Sequence, residues 1–280
     1  MINGFLLINK DSGITSSRVV QNIKKKFNFK KVGHLGTLDP MATGLLILAV
    51  NRATKFSSLL LESYKSYGAE VTLGIQTDTD DSEGKIISTK AIICNKEGIE
   101  SQLLSFLGES NQVPPIYSAL KVQGKPMYKY ARAGEKVAKA SRRICINSIA
   151  KIIINPPIVS FEVECSKGTY IRSIARDLGE KLGCGAHLSS LARLTQQNFS
   201  LTSAKKIDEI SEKDLIAIED AFIHLDAINI PTEQLKQFMN GVALNLKLTN
   251  TDLMRVYNPS GEFIAIGKNT HEGFRHEYLV

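Results

Sequence analysis

The chain has few cysteines, no long apolar run and no glycine-rich phosphate loop, and each absence excludes a class of protein. Its longest apolar run, Leu45–Val50, is far shorter than the roughly 20 residues that a membrane-spanning helix needs. Residues 1–5 have no basic start and no cleavage site, so we predict no secretory signal peptide. We therefore expect a cytoplasmic protein without a membrane partner.

The cysteines are widely spaced and form no C-x-x-C pair, which argues against a zinc site. Without a secretory signal, they are predicted to be reduced thiols in the core. Their positions are Cys94, Cys145, Cys165 and Cys184. We accordingly predict neither a bound metal nor a cofactor.

Positive charge is concentrated in two stretches of the sequence. Residues 121–151 contain nine Lys and Arg against one acidic residue, a net +8, and residues 10–31 contain seven against one, a net +6. Tyrosines at 117, 128 and 130 lie in or beside the first stretch. Clustered cations interleaved with aromatic rings are typical of nucleic-acid binding, whereas a single charged run is more often a solvated surface.

Strand and helix patterns mix without a regular β-α-β order. The apolar side chains of residues 66–73 alternate with a period of two, which predicts a strand, while residues 99–107 and 170–182 have helical spacing. The 280 residues, of which 43% are apolar, can form one large or two modest domains. This order predicts an α+β fold with a mainly antiparallel mixed sheet and flanking helices.

The pattern changes near Ile230, after which we predict a short helix, Thr232–Met239, and two short strands, Leu253–Tyr257 and Phe263–Ile266. We predict a main domain over residues 1–230 and a small β-rich module over residues 231–280.

The segment Gly33–Lys55, GHLGTLDPMATGLLILAVNRATK, carries the most specific motif. Asp39 precedes Pro40, and the proline ring disfavours helical backbone at the residue before it, so Asp39 is predicted to lie in a loop. Loops held by rigid elements often carry function. The alternative is that Asp39-Pro40 only initiates a turn.

This segment resembles the motif G-H-x-G-T-L-D-P-x-A-x-G-L-L of the tRNA pseudouridine-55 synthase family. Further segments continue the resemblance: NKDSGITS at residues 9–16, Tyr67, TDTDD at residues 77–81, PPIYSALK at residues 114–121, and CSKGTYIRSIARDLG at residues 165–179. The chain departs from the family pattern at Asp11, where proline is usual, and at Asn51 and Asn198, where glycine is common. Asn198 is predicted to supply the positive φ of the missing glycine.

The resemblance implies the pseudouridine synthase fold with a C-terminal RNA-binding, PUA-like module. It further implies isomerisation of uridine to pseudouridine at position 55 in the T loop of tRNA. Asp39 would be the nucleophile, attacking C6 of the base or C1′ of the ribose, or accepting the 2′ proton in a glycal route.

The other predicted site residues surround this carboxylate. Arg172 lies in the first turn of its predicted helix, where the helix dipole disfavours a cation, so we expect a carboxylate to hold it; by resemblance that carboxylate is Asp39. Because the target base must leave its stack, Tyr67 is predicted as the aromatic platform and His34 as the group that fills the gap. By resemblance, further RNA contacts are predicted at Lys10, Leu191, Lys121 and Arg132.

Three alternatives to this hypothesis remain. The chain could be a tRNA-binding or tRNA-folding protein without catalysis, a hydrolase that uses Asp39 with an acid such as Asp78, or a guide-RNA-dependent relative. The predicted partner is the T arm and loop of tRNA, with no obligatory protein partner.

Overall fold

The computed structural model describes residues 2–118, 121–122, 124–127, 130, 140–246, 248 and 252–280. In chain order its strands are β1 (Gly4–Lys10), β2 (Val32–His34), β3 (Thr43–Val50), β4 (Lys65–Leu73), β5 (Ile75–Thr77), β6 (Ile86–Thr89), β7 (Gly108–Gln112), β8 (Lys121–Val122), β9 (Lys125–Pro126), β10 (Arg142–Asn155), β11 (Ile158–Cys165), β12 (Ala186–Gln196), β13 (Phe199–Ser200), β14 (Ala227–Asn229), β15 (Leu253–Tyr257), β16 (Phe263–Thr270) and β17 (Gly273–Leu279).

A nine-stranded sheet organises the main part of the molecule. Its strand order is β1-β3-β12-β4-β11-β10-β7, with β2 on β3 and β13 on β12. All of its pairings are antiparallel except the parallel pair of β3 and β12. The prediction of an α+β fold with a mainly antiparallel mixed sheet is confirmed.

The apolar run in β3 follows from burial on both faces of this sheet. Leu46 and Leu48 belong to one hydrophobic cluster, and Leu45 and Ile47 belong to a second on the opposite face. Successive side chains of a strand point to opposite faces, so a strand covered on both sides needs apolar residues at every position. This buried strand anchors the loop that carries Asp39.

Five of the six α-helices of the described residues pack on this sheet, and the last packs on the C-terminal strands through Phe238. The helices are α1 (Ser16–Lys26), α2 (Ser57–Leu61), α3 (Lys96–Leu104), α4 (Ile171–Lys181), α5 (Ile218–Ala221) and α6 (Thr232–Met239). Helix α4 buries Ile174, Ala175 and Leu178 in the core. Their spacing of three and four residues places them on one face, and Arg172 follows directly after the start of the helix. In the described residues no helix is long and apolar enough to cross a membrane.

A second sheet, in the order β14-β15-β16-β17, forms the C-terminal part of the chain. The predicted helix after Ile230 and the first two strands of the small module are present, and β14 and β17 are additions to that prediction. Strand β14 begins before the predicted domain boundary at residue 230, which stays a prediction. The sheet packs on the main part of the molecule through Tyr278, whose ring lies 5.6 Å from that of Phe56.

Candidate active site

A cavity of about 710 Å³ opens beside the Asp39 loop. Its walls come from the loop before β3, from β4 and β12, from the acidic turn after β5, and from the start of α4. It brings together the predicted residues Asp39, Tyr67, Arg172 and Leu191, together with Lys65, Asp81, Glu83 and Arg193. Residues distant in the sequence therefore meet in one concave site.

The loop that presents Asp39 is fixed by α1 and by the turn before it. The Ser16 hydroxyl accepts from the Leu38 amide at 2.9 Å and donates to the Leu38 carbonyl at 3.1 Å. The Gly13 amide and the Lys10 ammonium donate to the Pro40 carbonyl at 2.8 and 3.1 Å. The backbone is therefore held immediately before and after Asp39.

Arg172 lies directly against the Asp39 carboxylate. Its Nη2 donates to Oδ1 of Asp39 at 3.1 Å, and its Nε lies 2.9 Å from Oδ2 without a directed hydrogen bond. The Arg172 side chain is 5% exposed and that of Asp39 is 31% exposed. The guanidinium is thus buried behind a carboxylate that still reaches the cavity.

Further contacts fix the Arg172 guanidinium. Nη1 lies 3.3 Å from Oδ2 of Asp81 and donates to the Thr79 carbonyl at 3.2 Å, and Nη2 donates to the Tyr117 carbonyl at 2.9 Å. Because Asp81 and Asp39 share one arginine, the acidic turn after β5 is tied to the Asp39 loop. Asp81 was not among the predicted site residues, although the sequence motif TDTDD contained it.

Burial raises the pKa of the Asp39 carboxyl above its ordinary value of 3.8. The adjacent Arg172 opposes this rise, and the negative charge of Asp81 adds to it. Desolvation disfavours an ionised carboxylate and makes it more reactive as a base or nucleophile than a solvated one. The Arg172 cation therefore orients the Asp39 carboxylate, but it does not fully offset the effect of burial on its pKa.

Tyr67 lies on β4, directly opposite Arg193 on β12. The Arg193 guanidinium is centred 5.5 Å from the ring, and its Nε donates to the phenolic oxygen at 3.4 Å. Burial raises the pKa of the Tyr67 hydroxyl. Its ring is therefore a rigid, neutral wall of the cavity, as an aromatic platform requires.

His34 and Lys10 lie beside the cavity rather than on its walls. His34 ends β2 and is partly exposed, and burial together with the Arg193 charge lowers its pKa. Lys10 is fully buried, and its ammonium donates to the carbonyls of Asp11, Ile14 and Pro40. A contact between Lys10 and RNA would need this ammonium to leave those carbonyls.

The two other predicted RNA contacts lie at the edge of what the structure describes. Lys121 is in the short strand β8, and Arg132 lies outside the described residues. In the described part of the chain, no group of three or more His, Cys, Asp or Glu side chains could hold a metal ion.

The departures from the family pattern have local explanations, and one prediction is wrong. Asn51 adopts a φ of 52°, as a residue in place of glycine must. At the turn between β12 and β13 the positive φ belongs to Gln197, at 53°, and not to Asn198. Asp11 forms an ion pair with Lys206. Gln197 and Asn198 form the two-residue loop between β12, which ends at Gln196, and β13, which begins at Phe199.

Arg193 is another cavity residue that was not among the predicted site residues. It is 2% exposed and is one of the largest fully buried side chains of the described chain. Its guanidinium donates to the carbonyls of Gly36, Thr37 and Leu45. An arginine within the apolar pattern of β12 was the available signal, since charged residues are rarely buried in a strand without a specific role.

Comparison with known proteins gives concordant results over nearly the whole chain. Residues 24–171 match the family description "TruB family pseudouridylate synthase (N terminal domain)", and residues 172–236 match "tRNA pseudouridylate synthase B C-terminal domain". Proteins named tRNA pseudouridine synthase B from Clostridium kluyveri and Clostridium acetobutylicum are each 40% identical to it over 283 residues, covering 98% of both chains.

Solved structures show the same fold. The chain resembles a protein in a Cbf5-Nop10-Gar1 complex with a TM-score of 0.73 and 26% identity, covering 99% of this chain and 84% of the other. A chain from an H/ACA RNP bound to a substrate RNA containing 2′-deoxyuridine gives the same TM-score at 24% identity, with the same coverage.

Proposed function

The chain belongs to the TruB family of pseudouridylate synthases and is an RNA pseudouridine synthase, an isomerase. From this premise we propose that it converts uridine 55 in the T loop of tRNA to pseudouridine, with Asp39 as the nucleophile. Its relatives are named tRNA pseudouridine synthase B, which supports tRNA as the substrate. The identity of the nucleophile and the target position go beyond the family assignment.

The observation that carries this proposal is the Asp39–Arg172 pair at the wall of the cavity. The carboxylate is held in place from behind by a guanidinium with Nε 2.9 Å from Oδ2, and 31% of its side chain is exposed. A positioned carboxylate with a raised pKa is the group that covalent chemistry at a glycosidic carbon requires.

The reaction breaks the bond between N1 of uracil and C1′, turns the base and rejoins it through C5. Asp39 can begin this sequence by attack at C1′, by addition to C6, or by removal of the 2′ proton. In each route Arg172 keeps the carboxylate ionised and directed into the cavity. The proton on C5 leaves in the last step, and this loss is measurable.

The base must be extruded from the T-loop stack to reach Asp39. We propose that Tyr67 is the surface on which the extruded ring lies and that Leu191, 7% exposed at the cavity wall, contacts its edge. His34 would fill the vacated stack, because it lies in the strand that leads into the Asp39 loop.

Binding of the tRNA is assigned to the basic stretches and to the C-terminal module. The net charge of +7 favours contact with phosphates, and we propose that residues 231–280 extend this contact. We expect no obligatory protein partner.

The test is release of tritium from T-arm RNA that contains uridine labelled at C5. Pseudouridine formation replaces the C5–H bond with a C–C bond, so tritium enters water only if the isomerisation occurs. RNA with the labelled uridine moved to a neighbouring loop position is the control. Binding without tritium release would instead support a tRNA-binding or tRNA-folding protein.

A further inference from the structure

Two buried cations flank Tyr67 on one wall of the cavity. Lys65 lies two residues before Tyr67 on β4, and Arg193 is paired with Tyr67 from β12. Lys65 is 7% exposed and Arg193 is 2% exposed, and both line the cavity. We refer to Lys65 and Arg193 as the cation pair.

The cation pair contacts no carboxylate in the part of the chain that the structure describes. The Lys65 ammonium donates to the carbonyls of Leu61 and Ser63 at 3.1 and 2.8 Å. The donors of Arg193 go to three backbone carbonyls and to the Tyr67 oxygen. An ammonium has three donors, so one donor of Lys65 is left for a ligand.

Burial of this cation pair costs folding free energy unless an anion binds beside it. A buried charge without a counter-ion is unfavourable, and here two positive charges lie close together. Burial lowers the pKa of Lys65 to about 8, with the Arg193 charge as the next contribution. By contrast, the Arg172 guanidinium has two carboxylate partners. The positive potential is therefore directed at the cavity.

Every route open to Asp39 places negative charge on the uracil ring. In attack at C1′ a C1′–O bond forms, the C1′–N1 bond breaks, and its electron pair stays on N1 and spreads to O2 and O4. In the glycal route the 2′ proton goes to Asp39, the C2′–H electrons form a C1′=C2′ double bond, and the electron pair of the broken C1′–N1 bond leaves with the base. In addition to C6 an O–C6 bond forms and the π electrons of C5=C6 move toward O4.

Tyr67 holds Arg193 beside the proposed position of the base. The Arg193 guanidinium is centred 5.5 Å from the Tyr67 ring, and its Nε donates to the phenolic oxygen at 3.4 Å. The charge of Arg193 is therefore fixed next to the ring on which the proposed function places the base.

We propose that Lys65 and Arg193 stabilise the negative charge that the uracil ring acquires during isomerisation. This inference rests on the proposed function and adds to it an electrostatic site for the base that is separate from the Asp39–Arg172 pair. Fixed charges aimed at a developing anion lower the transition state more than the ground state.

The experiment compares two substrates, T-arm RNA with uridine and with 5-fluorouridine at the target position. Fluorine withdraws electrons, so the fluorinated ring carries negative charge more easily and needs less help from the protein. Single-turnover consumption of the original nucleoside is measured in nuclease digests for the wild type and for Lys65→Met, which keeps the length of the side chain without the charge. Thermal melting and RNA affinity are measured in parallel.

With uridine, Lys65→Met should reduce the rate by about 100-fold, the scale for loss of one group that stabilises an oxyanion. With 5-fluorouridine the rate of Lys65→Met should be only roughly 10-fold below that of the wild type, because the fluorinated base stabilises part of the negative charge by itself. Arg193→Lys, which keeps the charge, should retain more of the activity than Arg193→Met.

Lys167→Met is the matched control, since Lys167 lies at the same cavity but is 55% exposed and paired with Glu62. Its effect should be the same on both substrates. An equal loss on the two substrates for Lys65→Met would overturn the inference, because misfolding or lost RNA contact does not depend on fluorine. Failure of the wild type to consume the target uridine would instead refute the proposed function.

Discussion

Replacement of Asp39 by asparagine tests the reactivity of the carboxylate without changing the fold around it. Asn keeps the shape of the side chain and can still accept a hydrogen bond from Arg172, but it lacks the charge and most of the nucleophilicity. We expect turnover to be lost while the fold and the affinity for T-arm RNA stay near those of the wild type.

The size of the loss follows from what is removed. Deleting one member of a nucleophilic site reduces rates by roughly 10⁴-fold or more, which corresponds to about 5 kcal/mol of transition-state stabilisation. Arg172→Lys should be milder, because it removes the directed Nη2–Oδ1 hydrogen bond and leaves a positive charge. One hydrogen bond to a charged group is worth about 1.5–3 kcal/mol, or roughly 10- to 150-fold in rate.

The stability of Asp39→Asn should not fall. Burial raises the pKa of Asp39 in the folded state, so the ionised carboxylate costs folding free energy at any pH above that raised value. Asn removes this cost, and Arg172 keeps Asp81 as a partner at 3.3 Å. The melting temperature at pH 7 should therefore equal or exceed that of the wild type.

Single-turnover tritium release, filter binding and thermal melting measure the three quantities on one preparation. Asp78→Asn is the matched control, because Asp78 is an exposed carboxylate whose Oδ1 accepts from the Lys85 amide; its turnover should be unchanged. Tritium release by Asp39→Asn near the wild-type rate would remove the nucleophile from this account. Loss of tritium release in Asp78→Asn would show that the loss of turnover is not specific to the Asp39–Arg172 pair.

Three further results are expected. His34→Ala should lose activity on intact T-arm RNA and regain part of it on RNA whose target uridine is already unstacked. His271 is exposed, and His271→Ala should match the wild type on both RNAs. Equal loss by His34→Ala on both RNAs would make His34 structural. The single-turnover rate should fall as pH drops through the raised pKa of Asp39, and a decline confined to pH values below 3.8 would contradict this. The affinity for T-arm RNA should fall with salt, with a log–log slope of roughly −0.7 per phosphate contacted on single strands, and a salt-independent affinity would refute phosphate contact.

Local sequence was sufficient wherever periodicity or backbone chemistry decided the outcome. Helix α6 and strand β15 have the predicted bounds, since both follow from apolar spacing. Strand β17 was missed, because its residues pack only partly and alternate weakly. The positive φ was predicted at Asn198 but belongs to Gln197, because the loop between β12 and β13 has only these two residues and its first residue takes the left-handed conformation.

The sequence by itself determined the family, the loop position of Asp39 and the need for a carboxylate beside Arg172, because these depend on contiguous motifs, on proline geometry and on the helix dipole. Only the tertiary structure decided which side chains of different elements contact one another. It placed Asp81 on the same guanidinium as Asp39, turned Lys10 inward onto backbone carbonyls, and set Lys65 and Arg193 on either side of Tyr67. These contacts join residues far apart in the chain, and their energies depend on burial, which spacing along a sequence does not specify.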